Sequence, residues 1–418
     1  MRDLRFLQGI VTSGVIATIS ILGNFVAKVQ AATFTLPIEA AAKATGVDVL
    51  RDLYGLDGTG ITIGVISDSF ATAETVDAFG NPDTYVTNIA NGYLPSGVNV
   101  LKDYSGPNAI DEGRALSQII HAVAPGAKLA FYTSRDTVDV FGQGIQALSA
   151  VGANIIVDDF GYLYPPENPN ELLDQLDLEP PDGPINLAID AVFNQGISYF
   201  TSAGNRPDIP IYGHSNNPNA LTVGAVYYGN AQSYSNQFFD VVVEQGQIEP
   251  FSSEGDPGSL KPDVVAPDAL PISFNLGGGA GLYDDPRFFR FLGTSVSAPY
   301  TAAVAALLLQ ANPNATPTEI YDALRNTAES PLPEFDSRYG YGLIRADRAI
   351  LALGVQGKPT TIPEPSAAPA LLCVSVLIAG LLLKRTQQRK VIAKSNQSLA
   401  LVYSGVDKLS YKSLPDVS

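Results

Sequence analysis

The stretch FLGTSVSAPYTAAVAALLLQANP, residues 291–313, constrains the fold most, because a helix that is apolar on every side must be buried. Gly293-Thr294-Ser295 precedes the apolar run, and Asn312-Pro313 ends it. Pro299 fits the first turn of the predicted helix, where its missing N–H costs nothing. Ser295 would lie at the helix N-terminus, where unpaired N–H groups and the helix dipole favour negative charge. That position suits a nucleophile whose reaction forms an oxyanion, although a serine there can also simply cap the helix.

The longer string favours the nucleophile. GTSVSAP followed by a helix of small residues resembles the serine motif of the subtilases, the subtilisin-like serine proteases. The resemblance continues, in the family's order, in FSSEG (251–255), KPDVVAP (261–267) and YGYGLIRADRAI (339–350). It implies an α/β fold, a three-layer subtilisin-like domain with a mostly parallel sheet. It also implies a serine endopeptidase in which Ser295 attacks the peptide carbonyl.

Two further segments resemble subtilase motifs. GTGITIGVISDSF (58–70) has the pattern of a buried parallel strand with an acid at its carboxyl end. It resembles the strand that ends in the catalytic aspartate, here Asp68. The segment 185–205 predicts a helix and then a strand, and resembles the one whose asparagine donates a side-chain N–H to the oxyanion. Asn205 holds that position, although an asparagine before Arg-Pro can also be a plain turn residue.

The position of the catalytic base departs from the family. Residues 111–132 predict a helix, a break and a strand, and resemble the subtilase histidine helix, which opens with His-Gly. Here the helix opens with Glu112-Gly113. Of the two histidines in the chain, His121 is nine residues further on, about 13 Å along the axis and on the opposite face. His214 matches no catalytic position.

A glutamate base has a precedent in the sedolisins, relatives of the subtilases with a Ser-Glu-Asp site. Those proteins carry an aspartate four residues after the glutamate, where this chain has Leu116, and their oxyanion residue is an aspartate rather than Asn205. A carboxylate with a pKa of about 4.3 is a weaker base than imidazole at about 6.5. Glu112 beside Asp68 would share a proton with it, and one apparent pKa of the pair would rise.

We therefore expect Glu112 to take the proton of Ser295, Asp68 to orient Glu112, and Asn205 with the Ser295 backbone N–H to hold the oxyanion. One alternative is a catalytically silent surface or binding protein that has the same cleft. Another is a processing protease that acts on a single partner.

The segment NIIVDDFGY (154–162) resembles the family's substrate-cleft strand, which implies substrate contacts for Asp158, Asp159 and Gly161. Two adjacent acids can also be a solvated strand end, or a subsite that favours basic side chains. Calcium is common in both related families, but no clear calcium loop is visible, so no metal ligand is assigned.

Charge and cysteine content exclude other classes of function. The net charge of −17 argues against nucleic-acid binding and suits a secreted, self-repelling soluble protein. The subtilase resemblance implies a protein or peptide substrate as its partner. The single cysteine, Cys373, excludes an intramolecular disulfide and a cysteine-based metal site.

The N-terminal part of the sequence predicts a leader segment and the start of the folded domain. Residues 1–31 combine basic residues, an apolar stretch and a small-residue cleavage site, which predicts a signal peptide. An uncleaved membrane anchor is the alternative. Residues 32–57 predict a short helical lead-in, too short for a folding pro-domain. The subtilase catalytic domain is assigned to 58–354.

The C-terminal region predicts attachment to the cell envelope. A Pro/Thr linker (355–365) precedes a segment, 366–390, in which about 18 apolar residues just reach bilayer length and a basic cluster follows. A core helix would not follow such a linker. The segment resembles the PEP-CTERM sorting tag of Gram-negative bacteria, which implies a sorting and processing machinery as partner and an envelope or extracellular location. The polar tail 391–418 departs from that tag.

Overall fold

The computed structural model describes residues 36–356, except 136, 162, 165–176, 179, 181, 230–231, 236–239 and 278–280. The predicted signal peptide, the sorting segment, the polar tail and most of the linker lie outside the described residues. Within the described ranges, no helix is long and apolar enough to cross a membrane.

The helices of the described residues are α1 Glu39–Thr45, α2 Val47–Asp52, α3 Tyr85–Ala90, α4 Glu112–Val123, α5 Val138–Ala150, α6 Pro184–Asn194, α7 Thr294–Ala311, α8 Pro317–Thr327 and α9 Ala346–Ala352. The strands are β1 Thr62–Ser67, β2 Thr75–Val76, β3 Pro82–Asp83, β4 Asn99–Lys102, β5 Lys128–Thr133, β6 Ile155–Asp158, β7 Leu163–Tyr164, β8 Asp177–Leu178, β9 Ser198–Ser202, β10 Ala220–Tyr227, β11 Gln232–Ser235, β12 Asp240–Val243, β13 Val264–Asp268, β14 Leu270–Ile272 and β15 Phe289–Phe291.

A seven-stranded parallel sheet in the order β13-β10-β9-β6-β1-β5-β4 forms the middle layer. Successive strand residues face opposite sides of a sheet. In β1, Val65 packs in the core that contains α4 and α7, whereas Ile66 packs in the core that contains α5 and α6. The predicted three-layer α/β fold is therefore confirmed. The carboxyl ends of all seven strands meet at one edge, where ligand sites of such sheets form.

Helix α7 is the central helix of the domain. Every residue from Thr294 to Leu308 is buried, as the sequence predicts. Pro299 is the sixth helical residue, so the prediction that it occupies the first turn is wrong. As a proline it cannot donate to the carbonyl of Ser295, four residues earlier, and that carbonyl lacks its intrahelical partner.

The lead-in is made of two short helices rather than one. Gly46 separates them with a φ of 75°, a left-handed conformation that glycine adopts easily. Thr45 Oγ1 lies 2.7 Å from the Tyr300 hydroxyl on α7, and Arg51 Nε donates to the Val123 carbonyl at the end of α4. The described part of the lead-in thus packs directly on the catalytic domain.

A buried arginine fixes the start of α4. Arg114 is 1% exposed, and its Nη1 contacts Asp83 Oδ1 at 2.6 Å and Asn88 Oδ1 at 2.8 Å. Its Nη2 is 3.2 Å from Asp111 Oδ2, and its guanidinium stacks 3.9 Å from the Phe274 ring centre. Because buried charges need partners, this network ties the first turn of α4 to β3 and α3.

We expect Arg114→Met to lower the free energy of unfolding by roughly 3–5 kcal/mol, because it leaves two buried carboxylates without their cation. Urea unfolding measures the loss. Arg287→Met is the matched control, since Arg287 pairs with Asp285 at the surface and its removal should change stability little. Equally small losses in both variants would contradict a structural role for the Arg114 network.

Candidate active site

Ser295 is the second residue of α7 and lies at the carboxyl edge of the sheet with 7% of its surface exposed. The turn before it is made by Gly293, whose φ is 138°. The Val296 N–H donates to the Gly293 carbonyl at 2.9 Å, which closes the first turn around Ser295. The hydroxyl thus stands at a helix N-terminus, beside N–H groups that the helix itself leaves without acceptors.

Asn205 lies next to Ser295. Its Oδ1 accepts from the Thr294 N–H at 2.8 Å and from the Thr294 hydroxyl at 3.0 Å, which fixes the orientation of the amide. A Cβ at Gly293 would lie 3.1 Å from Asn205 Nδ2 and 3.6 Å from Ser295 Oγ. Only glycine keeps the space between these two atoms open, and an oxyanion there would meet the Asn205 amide.

Asp68 follows β1 and is 1% exposed. Its carboxylate accepts from the Glu112 N–H at 2.8 Å, the Ile110 N–H at 2.9 Å and the Ser69 hydroxyl at 2.9 Å. Asp68 therefore holds the backbone at the start of α4. Gly113 permits this close approach, because a Cβ there would lie 2.3 Å from the Phe131 ring.

The Glu112 side chain reaches the nucleophile. The Ser295 hydroxyl and the Asp159 carboxyl both lie close enough to the Glu112 carboxyl to lower its pKa. Burial, and then the negative charge of Asp68, raise the pKa of Glu112 to about 7. The sequence predicts that Glu112 shares a proton with Asp68. In the structure Asp68 instead accepts from the backbone N–H of Glu112 and acts on the Glu112 carboxyl through charge. The carboxyl that lies beside that of Glu112 belongs to Asp159.

Asp159 was assigned to substrate binding from the sequence, and the structure places it against Glu112. The Ser67 hydroxyl donates to its Oδ2 at 3.2 Å. Its Oδ1 is buried and receives no N–H or hydroxyl donor from the described residues. Burial, and then the charge of Glu112, raise the pKa of Asp159 well above its ordinary value. A proton shared with Glu112 would supply the missing donor.

A signal for this contact is present in the sequence. β1 and β6 are neighbouring parallel strands, with Ile66 opposite Asp158. Asp159 therefore follows at the level of Ser67, the residue before Asp68. Recognising this requires the strand register, which periodicity alone does not supply.

The other two residues assigned to substrate binding are placed differently. Asp158 is fully buried, and its Oδ1 accepts from the Thr201 hydroxyl at 3.0 Å and lies 3.2 Å from His214 Nε2. A peptide in the cleft cannot reach it in this conformation. Gly161 is exposed, and a Cβ there would lie 2.6 Å from the Tyr212 hydroxyl.

Arg135 is a site residue that the sequence reasoning missed. Its Nη2 lies 4.0 Å from Asp68 Oδ2, and its guanidinium is 5.7 Å from the ring centres of Tyr104 and Phe160. It is the cation that opposes the rise in the pKa of Glu112. It lies just beyond the end of β5, next to β1 in the sheet, so strand order was needed to find it.

Neither histidine lies at the nucleophile. His121 is in the last turn of α4, where burial, and then the charge of Arg51, lower its pKa to about 4. His214 packs its ring edge against Phe141, at 5.2 Å between ring centres, and contacts Asp158. In the described ranges no group of three or more His, Cys, Asp or Glu residues is placed to hold a metal ion.

Comparison with known proteins agrees with this geometry. The model of the subtilase family, Peptidase S8, matches residues 104–342, more than half of the chain. The serine protease AprX of Bacillus subtilis is 24% identical over 345 residues, 72% of this chain and 69% of AprX. A calcium-dependent protease of Nostoc is 28% identical over 272 residues, 57% of this chain and 38% of that protein.

Solved structures share the fold. A lanthipeptide protease covers 76% of this chain and 95% of its own, with a TM-score of 0.53 and 16% identity. MycP1 with its N-terminal propeptide removed covers 74% and 96%, with a TM-score of 0.51 and 18% identity. Together with the family match and the arrangement of Ser295, Asp68 and Asn205, these findings show that the chain belongs to the subtilase family.

Proposed function

We propose that the protein is a serine endopeptidase whose catalytic base is Glu112. The observation that carries this proposal is the proximity of the Glu112 carboxyl to the Ser295 hydroxyl, because a general base must reach the proton that it removes. The family match and the protease relatives support peptide-bond hydrolysis as the reaction.

Each residue has one task in the proposed mechanism. Ser295 attacks the peptide carbonyl while Glu112 takes its proton and then returns it to the leaving amine. The Asn205 amide and the Ser295 N–H stabilise the oxyanion. Asp68 holds Glu112 in place through its backbone N–H. Gly161, exposed at the end of the cleft strand, lies along the bound peptide.

Asp159 replaces Asp68 as the proton-sharing partner of Glu112. Three carboxyls meet here, and only Asp68 has three hydrogen-bond donors of its own. Glu112 and Asp159, in contact and largely shielded from water, cannot both be charged without strong repulsion. The active form is therefore the pair with one proton, in which Glu112 is free to accept the proton of Ser295.

The pair predicts a bell-shaped pH dependence of activity. Activity should rise towards about pH 7 as Glu112 loses its proton and becomes a base, and fall at higher pH where Asp159 loses its own proton and the negative charges of the site repel each other. The kcat/KM of residues 32–354 on an unfolded protein substrate, measured from pH 3 to 10, tests this. An activity that keeps rising to pH 10 would contradict the shared proton.

Removing the catalytic base should lower the catalytic rate. Glu112→Gln keeps the shape of the side chain but cannot accept the proton, and should lower kcat by roughly 10²–10⁴-fold. Asp159→Asn should keep a hydrogen bond to Glu112 and shift the acid limb of the pH profile. His121→Ala, in the last turn of α4, is the control and should change kcat little. A harmless Glu112→Gln combined with a loss of activity in His121→Ala or His214→Ala would mean that the base is another residue.

The nucleophile is testable independently of turnover. A fluorophosphonate probe should label Ser295, because attack on phosphorus needs the same hydroxyl and the same oxyanion donors. Ser295→Ala should abolish labelling and proteolysis, and peptide mapping by mass spectrometry should locate the adduct. An adduct on another serine would refute the assignment. If the parent neither labels nor cleaves from acid to neutral pH, the silent binding protein is the better description.

We further propose that the protein is exported and attached to the cell envelope through residues 366–390. The sequence features of the two terminal segments support this. Deleting residues 363–418 should release the protein from the membrane fraction, as measured by immunoblotting after fractionation. Full-length protein found in the cytosol would refute both segment assignments.

A further inference from the structure

A second pair of buried carboxyls lies behind the nucleophile. Asp268 ends β13, is fully buried, and accepts the Gly293 N–H through Oδ1 at 2.9 Å. Gly293 is the residue whose missing Cβ leaves room between Asn205 Nδ2 and Ser295 Oγ. Any shift of Asp268 would therefore be transmitted through one hydrogen bond to both sides of the proposed oxyanion site.

Glu249 is the partner of Asp268. It is fully buried, and its backbone N–H donates to the Ala225 carbonyl of β10 at 2.9 Å. Its carboxyl hydrogen-bonds to that of Asp268, and the Tyr234 hydroxyl donates to its Oε1 at 3.2 Å. Glu249 Oε2 and Asp268 Oδ2 are buried and receive no N–H or hydroxyl donor from the described residues.

The charged and titratable groups around the pair do not neutralise it. The cation that acts on Glu249 is Arg290 of β15, but its Nη1 contacts Gln232 at 2.6 Å and its Nη2 contacts Asp284 at 3.4 Å. Tyr227 of β10 and Tyr234 of β11 face the pair as neutral groups. No salt bridge to either carboxyl exists in the described ranges. Two adjacent carboxylates so deeply buried are too unfavourable to be both ionised.

We propose that Glu249 and Asp268 share one proton and act as positioning residues, holding Gly293 in the conformation that aligns Ser295 with Asn205. The shared proton lies between Glu249 Oε2 and Asp268 Oδ2, and Asp268 accepts from the Gly293 N–H through Oδ1. When the pair loses the proton, the two charges repel each other, Asp268 moves, and the turn before α7 is no longer held. This inference rests on the proposed endopeptidase function of the same site.

The titration of the pair agrees with this arrangement. Burial raises the pKa of Glu249 to about 7, and burial together with the charge of Glu249 raises the pKa of Asp268 well above its ordinary value. A carboxyl with a raised pKa binds its proton more tightly in the folded chain than in the unfolded one. Its contribution to stability is therefore full below about pH 4.5 and is lost as pH rises to about 7.

The first test measures proton sharing without requiring turnover. In the full chain with Ser295→Ala, urea unfolding from pH 4.5 to 7 gives the difference in bound protons between folded and unfolded states. Glu249→Gln should lower that difference by about one proton, because the amide donates the same hydrogen bond at every pH. Glu244→Gln, an exposed glutamate in the same region, should leave it unchanged. No change in Glu249→Gln, or loss of the pH dependence on adding CaCl₂ to the parent, would overturn proton sharing.

The second test separates positioning from stability alone. With the Ser295 hydroxyl restored, Glu249→Ala should lower kcat by about 10²-fold with little change in KM, as expected for a displacement of about 1 Å at the reacting atoms. Glu249→Gln should restore most of that loss at pH 5. If Glu249→Gln alters the proton count but Glu249→Ala retains full kcat, the pair serves folding only and the positioning role is wrong. Absence of proteolysis in the parent would instead refute the proposed function, while the proton count would still decide whether the pair shares a proton.

Discussion

The hydrogen bonds from the start of α4 to Asp68 are the interaction on which the rest of the site depends. They join the carboxyl end of β1 to the first turn of α4. The backbone of Glu112 is thereby held in a position from which its side chain extends towards Ser295. Backbone N–H groups lie 2.8 and 2.9 Å from the buried Asp68 carboxylate, closer than Arg135 Nη2 at 4.0 Å. The Arg114 network holds the same turn from the other side, through Asp111. A glutamate can reach Ser295 because both ends of this junction are fixed.

Placing the carboxyl of Glu112 beside those of Asp68 and Asp159 creates a problem of charge. Parallel strands bring their carboxyl ends together, so acids that follow neighbouring strands come into contact. Here the excess negative charge is managed by hydrogen bonds to Asp68, by Arg135 at the edge and by a shared proton between Glu112 and Asp159. The Glu249–Asp268 pair, which contacts Gly293 behind Ser295, is likewise proposed to share one proton. Protons that bind tightly near neutral pH thus become part of the site.

The two pairs act on different halves of the proposed chemistry. Glu112 and Asp159 lie on the side of the Ser295 hydroxyl and control the proton that must leave it. Glu249 and Asp268 lie behind Gly293 and act on the backbone that faces the oxyanion. Both proposed pairs retain a proton at neutral pH, so the arrangement is unsuited to alkaline conditions.

Local patterns in the sequence determined the buried helix α7 and the strand that ends at Asp68, because apolar periodicity and turn residues act over a few neighbours along the chain. The parallel three-layer fold and the candidates Ser295, Glu112 and Asn205 came from the resemblance of the motifs to those of the subtilases. Only the tertiary structure decided which carboxyl meets Glu112, since that depends on the register of β6 against β1. The same holds for Glu249 and Asp268, which come from either side of β10. Contacts between side chains of different strands are set by strand order and register, and no local pattern encodes them.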